Sequence, residues 1–156
     1  MFDKNDLCRF LAVAKKSTYA SGDSGMKVIN EDKSTTIVFE DWDWKYHDNY
    51  FWGEPYGWRE VVSYKWQPVY LMVYYWNVVE NCKDFGQVYS ILQEALRLIP
   101  ADNPYRWPRS HETKNAIYIN NFTWEIDDFF GEEIIKIGWI EKYKAKYIWG
   151  FVDQRR

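Results

Sequence analysis

Two stretches of the chain place apolar residues at helical spacing, and most of the remainder alternates at the two-residue period of strands. From Asp3 to Lys16, the residues Leu7, Phe10, Leu11 and Ala14 recur at i, i+3, i+4 and i+7, which predicts an amphipathic helix. Asp3 serves as its N-cap, Asp6 sits in the dipole-favoured first turn, and Phe2 is placed to staple onto Leu7. The second helix, Asp84–Leu98, lines Val88, Ile91, Leu92, Ala95 and Leu98 along one stripe with Leu96 at its margin. Asp84 and Gln87 imitate a capping box, and Pro100 stops the helix.

Strands are predicted at Met26–Asn30 and Thr35–Phe39, joined by a polar turn at Glu31–Ser34. At Glu40–Asp41 the apolar phase moves from odd positions (Ile37, Phe39) to even ones (Trp42, Trp44, Tyr46), so a bulge or turn belongs there. Arg59–Tyr64 follows, then Val69–Val79, which is apolar at both odd and even positions and therefore calls for cover on both faces. Ala116–Ile126, Glu133–Gly138 and Lys142–Val152 complete the set. In the last of these, Tyr143, Ala145, Tyr147, Trp149 and Phe151 face inward and Lys142, Lys144 and Lys146 outward. Short turns between such strands imply antiparallel pairing. The pattern predicts an α+β fold in one domain spanning 1–156: a strongly twisted antiparallel sheet of about six to eight strands, barrel-like if it curls far enough, with both helices packed on one face. No internal repeat is visible in the chain.

Composition changes this picture in one respect. Of 156 residues, 10 are Trp and 13 Tyr, and aromatics reach 21%, more than a core of this length requires. Some rings therefore belong at a pocket or an interface, where their polar tips find partners. A net charge of −3 and a pI near 5.4 argue against a protein devoted to phosphate backbones. Cys8 and Cys82 lack any CxxC spacing and read as free thiols of a reducing compartment, and no membrane-length apolar run occurs. The expectation is a soluble, cytoplasmic protein.

Candidate chemistry is sparse. No nucleophile signature, phosphate-cradling glycine loop or cofactor motif is present, so catalysis, a cofactor and a metal are not expected. His47 among Asp41, Asp43, Asp48 and Glu54 reads as a solvated strand edge, since one histidine with aspartates falls short of a zinc ligand set. Glu54, Glu60, Glu132 and Glu133 read as solvated turn and strand-edge charges. Arg109 and His111 are weaker polar candidates than Arg106, which lies between Tyr105 and Trp107 in the long Pro-rich loop Ala101–Asn115. The site expected is an aromatic cup of Tyr19, Trp44, Tyr46 and Tyr75, drawn from a ring set that also includes Tyr50, Trp52 and Trp76, covered by that loop with Arg106 and Trp107, holding a small flat or aromatic ligand. Single-stranded nucleic acid stacked on exposed rings above Lys142, Lys144 and Lys146, a protein partner docked on exposed aromatics, or an enzyme with an unrecognised site, are the alternatives.

The chain also resembles an uncharacterised bacterial and archaeal family known only as a domain of unknown function, the 5680 type. The matching residues are FLAVAKKSTYASG, KYHDNYF followed by GEPYGWREVV, PVYLMVYYW, ILQEALRLIP with PYRWP, and FFGEEII. The resemblance implies a stand-alone protein or a partner of helix-turn-helix regulators, and it brings no activity with it. The sequence departs from the family's pattern, in which glycines are common, at Trp52, Trp58, Trp76, Trp107 and Trp149. Those indoles would reshape or fill any cleft the relatives share.

Overall fold

The computed structural model describes residues 2–18, 27–79, 85–99, 108–123 and 128–153. In chain order the elements are α1 (Lys4–Ser17), β1 (Val28–Ile29), β2 (Ser34–Asp41), β3 (Trp44–Phe51), β4 (Tyr56–Tyr64), β5 (Gln67–Val78), α2 (Phe85–Arg97), β6 (Ser110–Glu112), β7 (Ala116–Phe122), β8 (Asp128–Ile137) and β9 (Ile140–Phe151). All the strand pairings are antiparallel. Among the described residues the sheet has nine strands, more than the six to eight expected, in the order β1-β2-β3-β4-β5-β9-β8-β7-β6. It is open, with β1 and β6 as its edges, and does not close into the barrel that its twist suggested. Among the described residues, no helix is long and apolar enough to cross a membrane.

Both helices form where periodicity places them. Asp3 caps α1, its side chain accepting from Asn5 N at 2.8 Å. The cap proposed for α2 at Asp84 lies outside the described residues. The stripe of α2 differs from expectation at its end, because Leu96 is fully buried whereas Leu98 is 52% exposed. A period of 3.6 carries the stripe from Leu92 through Ala95 and Leu96 to the buried Ile99, and Leu98 falls on the outer side. Leu92→Ala and Leu96→Ala are both expected to cost about 2–5 kcal/mol in urea melts, and Leu98→Ala less than about 0.5 kcal/mol. A cheap Leu96→Ala would show that this side of α2 does not face the sheet.

The phase change after Phe39 is a tight hairpin. Asp41 pairs with Trp44 across Trp42 and Asp43, and Phe39 stands opposite Tyr46, so odd positions of β2 share a face with even positions of β3. Trp42 leaves the strand altogether, at φ 52 and fully exposed. The β5 expectation fails on one side. Tyr70, Met72, Tyr74, Trp76 and Val78 are buried beneath the helices, but Val73 and Tyr75 on the outer face are exposed. The β3 strand lies between β2 and β4, so His47 and Asp48 are not on a sheet edge.

The topology contains a duplication that the sequence reading missed. One half runs α1-β2-β3-β4-β5 and the other α2-β6-β7-β8-β9, and they join where Tyr74 pairs directly with Tyr147. A constant offset carries Glu60, Trp66, Tyr70, Tyr74 and Trp76 onto Glu133, Trp139, Tyr143, Tyr147 and Trp149. Each half interrupts its ladder at the matching place, between Val62 and Ser63 and between Ile135 and Lys136. Each also closes the next hairpin with a left-handed pair, Lys65–Trp66 and Gly138–Trp139. The buried stripes match as well: Leu7, Phe10, Leu11, Ala14 and Lys15 on α1, and Val88, Ile91, Leu92, Ala95 and Leu96 on α2. Helix α1 packs on β2 and β3, and α2 on β7 and β8.

Candidate functional site

The inner face of the sheet is a continuous pavement of rings, because strand alternation turns every second residue of the aromatic-rich strands toward the helices. Across the middle, Tyr50, Trp58, Tyr74, Tyr147 and Gly131 stand in one cross-strand row. Gly131 occupies the position that Trp58 holds in the first half, and a Cβ there would collide with the Tyr147 hydroxyl. Tyr56 stacks on Trp76 at 3.9 Å, Trp149 on Phe129 at 4.0 Å, and Trp58 meets Trp76 edge-on at 4.3 Å. Offset and edge-to-face contacts of this kind add to simple area burial.

Charged groups are set into that pavement. Lys15, Asp48, Glu60, Asn120 and Glu133 are all buried. The Lys15 Nζ lies 2.9 Å from Glu60 Oε2 and 5.5 Å from the centre of the Trp149 ring, while the Tyr74 hydroxyl donates to Glu60 Oε1 at 3.3 Å. Asp48 stands directly across the strand pair from Glu60. Its carboxyl is pushed well above the usual range, first by burial and then by the Glu60 charge, with Lys15 opposing. The Tyr46 hydroxyl is raised in the same way, by burial and then by Glu60. The second half repeats the arrangement with altered charge. Tyr118 donates to Glu133 Oε1 at 2.6 Å, Asn120 takes the place of Asp48 and accepts from the Tyr147 hydroxyl, and Leu96 replaces Lys15.

At the edge of the pavement, the β3–β4 loop and the start of α2 border an open cavity of about 260 Å³ lined by Trp52, Gly53, Glu54, Tyr56, Phe85 and Tyr89. Glu54 is fixed from two sides: Oε2 accepts the Val78 N–H at 2.9 Å and Oε1 accepts the Tyr89 hydroxyl. Burial, then that hydrogen bond, pushes the Tyr89 hydroxyl up, so it stays a neutral phenol. Trp52 packs edge-on against Tyr56 at 5.7 Å and remains 71% exposed, and Phe85 is 44% exposed. Larger hollows lie elsewhere, one of about 490 Å³ between the hairpins at Ala116 and Trp139 and one of about 510 Å³ on the outer face around His47 and Arg59. Neither has a wall of rings; a hollow of about 290 Å³ between α1 and the β2–β3 hairpin does, with Phe10, Trp42 and Trp44, but the Trp52 cavity sets four rings around one carboxylate held from two sides, the pairing of apolar wall and fixed polar group that ligand sites favour.

The expected cup residues do not gather at one place. Tyr46 is buried beside Glu60, and Trp44 is half-buried, stacked on Phe10 at 5.4 Å and tilted against Tyr64 at 4.7 Å. Tyr75 is on the outer face, 59% exposed. Tyr19, Arg106 and Trp107 lie outside the described residues, and the Ala101–Asn115 stretch expected to be an irregular loop contains β6, whose Ser110–Glu112 backbone pairs with β7. Of the neighbouring polar candidates, Arg109 covers the Phe122 ring at 4.1 Å and His111 reaches Glu94 at 3.4 Å. The solvated reading of Asp48, Glu60 and Glu133 is overturned by their burial. Their signal was phase, since Glu60 alternates with Trp58 and Val62, and Asp48 with Tyr46 and Tyr50. Lys15 lies on the α1 stripe in the same sense. Among the described residues, no group of three or more His, Cys, Asp or Glu is placed to hold a metal ion.

Residues 48–152 match the model of a family described as a domain of unknown function (DUF5680). Among curated proteins and solved structures, no match was found.

Proposed function

The chain belongs to the DUF5680 family, and we propose that it is a noncatalytic cytoplasmic module that binds or senses a small, flat or aromatic ligand. The observation that carries this reading is the cavity walled by Trp52, Tyr56, Phe85 and Tyr89, where two large rings stay exposed beside a fixed polar group. Exposed indole and phenyl faces at a concave site gain from being covered, and a planar ligand covers them at little conformational cost. Behind the cavity, Tyr56 is held by its stack on Trp76, so the wall is rigid.

A melting screen against nucleotides, amino acids, indoles and sugars tests the reading. A ligand at one hundred times its Kd is expected to add about 2.7 kcal/mol of stability, and Trp52→Ala is expected to remove the effect. A hit whose affinity survives both Trp52→Ala and Phe85→Ala would place the site elsewhere. Oligonucleotide binding that weakens with salt would favour the nucleic-acid alternative.

A further inference from the structure

We propose that the ligand of this cavity is an organic cation of the quaternary-ammonium class, held by the faces of Trp52, Phe85 and Tyr89, over a floor formed by the buried Tyr56, and by the Glu54 carboxylate. The inference rests on the binding reading above and gives that site its ligand chemistry.

Four aromatic residues line the cavity, and Glu54 is the charged residue among the described lining. Ring faces carry the negative part of the aromatic quadrupole, and indole is the best of them for a cation. Glu54 adds a full negative charge held in place by the Val78 N–H and the Tyr89 hydroxyl. A carboxylate has about four acceptor positions, so those two donors leave lone pairs for a third partner. An anionic ligand would meet this carboxylate and the ring faces together. The N-terminus of α2, which begins at Phe85, opposes a cation. Its partial charge of about half a unit is nevertheless smaller than the full charge on Glu54.

Size and hydration narrow the class. A cavity of about 260 Å³ falls just below the range of about 300–1,000 Å³ common for drug-sized ligands, which suits a trimethylammonium group or a single charged ring. A quaternary nitrogen cannot donate hydrogen bonds to water, so it gives up its hydration for ring faces more readily than a primary ammonium does. A primary ammonium would keep its water and bind weakly here.

Choline and its neutral isostere 3,3-dimethylbutan-1-ol, titrated calorimetrically into the unmodified protein and followed by tryptophan fluorescence, decide the matter. Choline is expected to bind saturably and at least about tenfold more tightly than the isostere. Glu54→Gln, which keeps an oxygen for the Val78 N–H, is expected to weaken choline about tenfold and leave the isostere unchanged. Glu54→Asp, which retains the charge, should recover part of that loss. Equal affinity for choline and isostere would overturn the cationic class while leaving the binding module standing. So would a neutral flat compound that binds at Trp52 when choline does not. If no compound of either kind perturbs Trp52, the ligand class and the proposed function fall together.

Discussion

Lys15→Leu is expected to lower the unfolding free energy by about 3–5 kcal/mol in urea melts at neutral pH. Lys15 and Glu60 are both buried, and the change leaves Glu60 without its ammonium at 2.9 Å while Asp48 stays directly opposite on the neighbouring strand. Removing one member of a buried pair costs more than the pair contributes, because the remaining charge is still desolvated. The second half of the molecule shows how the loss can be offset. There Leu96 and Asn120 stand in place of Lys15 and Asp48 around Glu133, which is equally buried. The double variant Lys15→Leu, Asp48→Asn should therefore recover at least about 1 kcal/mol relative to the sum of the single changes. Strict additivity would show that the two halves share geometry but not energetics.

Asp48→Asn carries its own pH signature. Burial, reinforced by Glu60, raises the folded carboxyl above its unfolded value, so the folded state favours the protonated form. That contribution is complete below the unfolded value of about 3.9 and is lost as pH rises toward the folded one. The stability of Asp48→Asn relative to wild type should accordingly grow from pH 4 to pH 8. A constant difference across that window would mean that Asp48 titrates like an exposed aspartate.

How much of this was legible depended on which physical rule was in competition. Both helices and the alternation of β9 could be read because one-sided cover imposes a period that the sequence must obey, whereas β5, apolar at odd and even positions alike, gave no sign that its outer face is uncovered. Glu60 and Glu133 were in phase with buried neighbours, yet the general rule that carboxylates stay wet outweighed the local alternation. The duplication escaped notice because only inward or turn residues are retained, such as Tyr74 and Tyr147 or Trp66 and Trp139. Outer positions are free to diverge, as Leu71 and Val73 do from Lys144 and Lys146. The hairpins at Trp42, Lys65–Trp66 and Gly138–Trp139 lacked the expected Asn-Gly chemistry, since tryptophan occupies the left-handed region in each. As for the cavity, Trp52 and Glu54 come from one loop and Phe85 and Tyr89 from a helix that starts after β5. No periodicity in either segment specifies that they meet.

The tryptophans should separate sharply on substitution. Trp76 is 1% exposed and sits at the crossing of four ring contacts, with Tyr56 at 3.9 Å, Trp58 at 4.3 Å, Tyr143 at 6.2 Å and Tyr74 at 6.5 Å. Trp76→Ala is expected to cost about 3–5 kcal/mol, from lost transfer free energy and from a void that the sheet backbone cannot collapse to fill. Trp66 lies at φ 67 and is 82% exposed, so its side chain gains little from the fold and its Cβ opposes the left-handed backbone. Trp66→Gly removes that opposition, and its stability is expected to equal wild type or exceed it by up to about 1 kcal/mol. Urea melts of the two variants give the comparison directly. A loss below about 1 kcal/mol at Trp76 would show that the ring pavement is not the stabilising core. A substantial loss at Trp66 would mean that its indole is covered in solution, making the hairpin tips a contact surface. Because Trp76 backs Tyr56, its truncation should also weaken any ligand of the Trp52 cavity, whereas Trp66→Gly at the opposite end of β5 should leave that affinity unchanged.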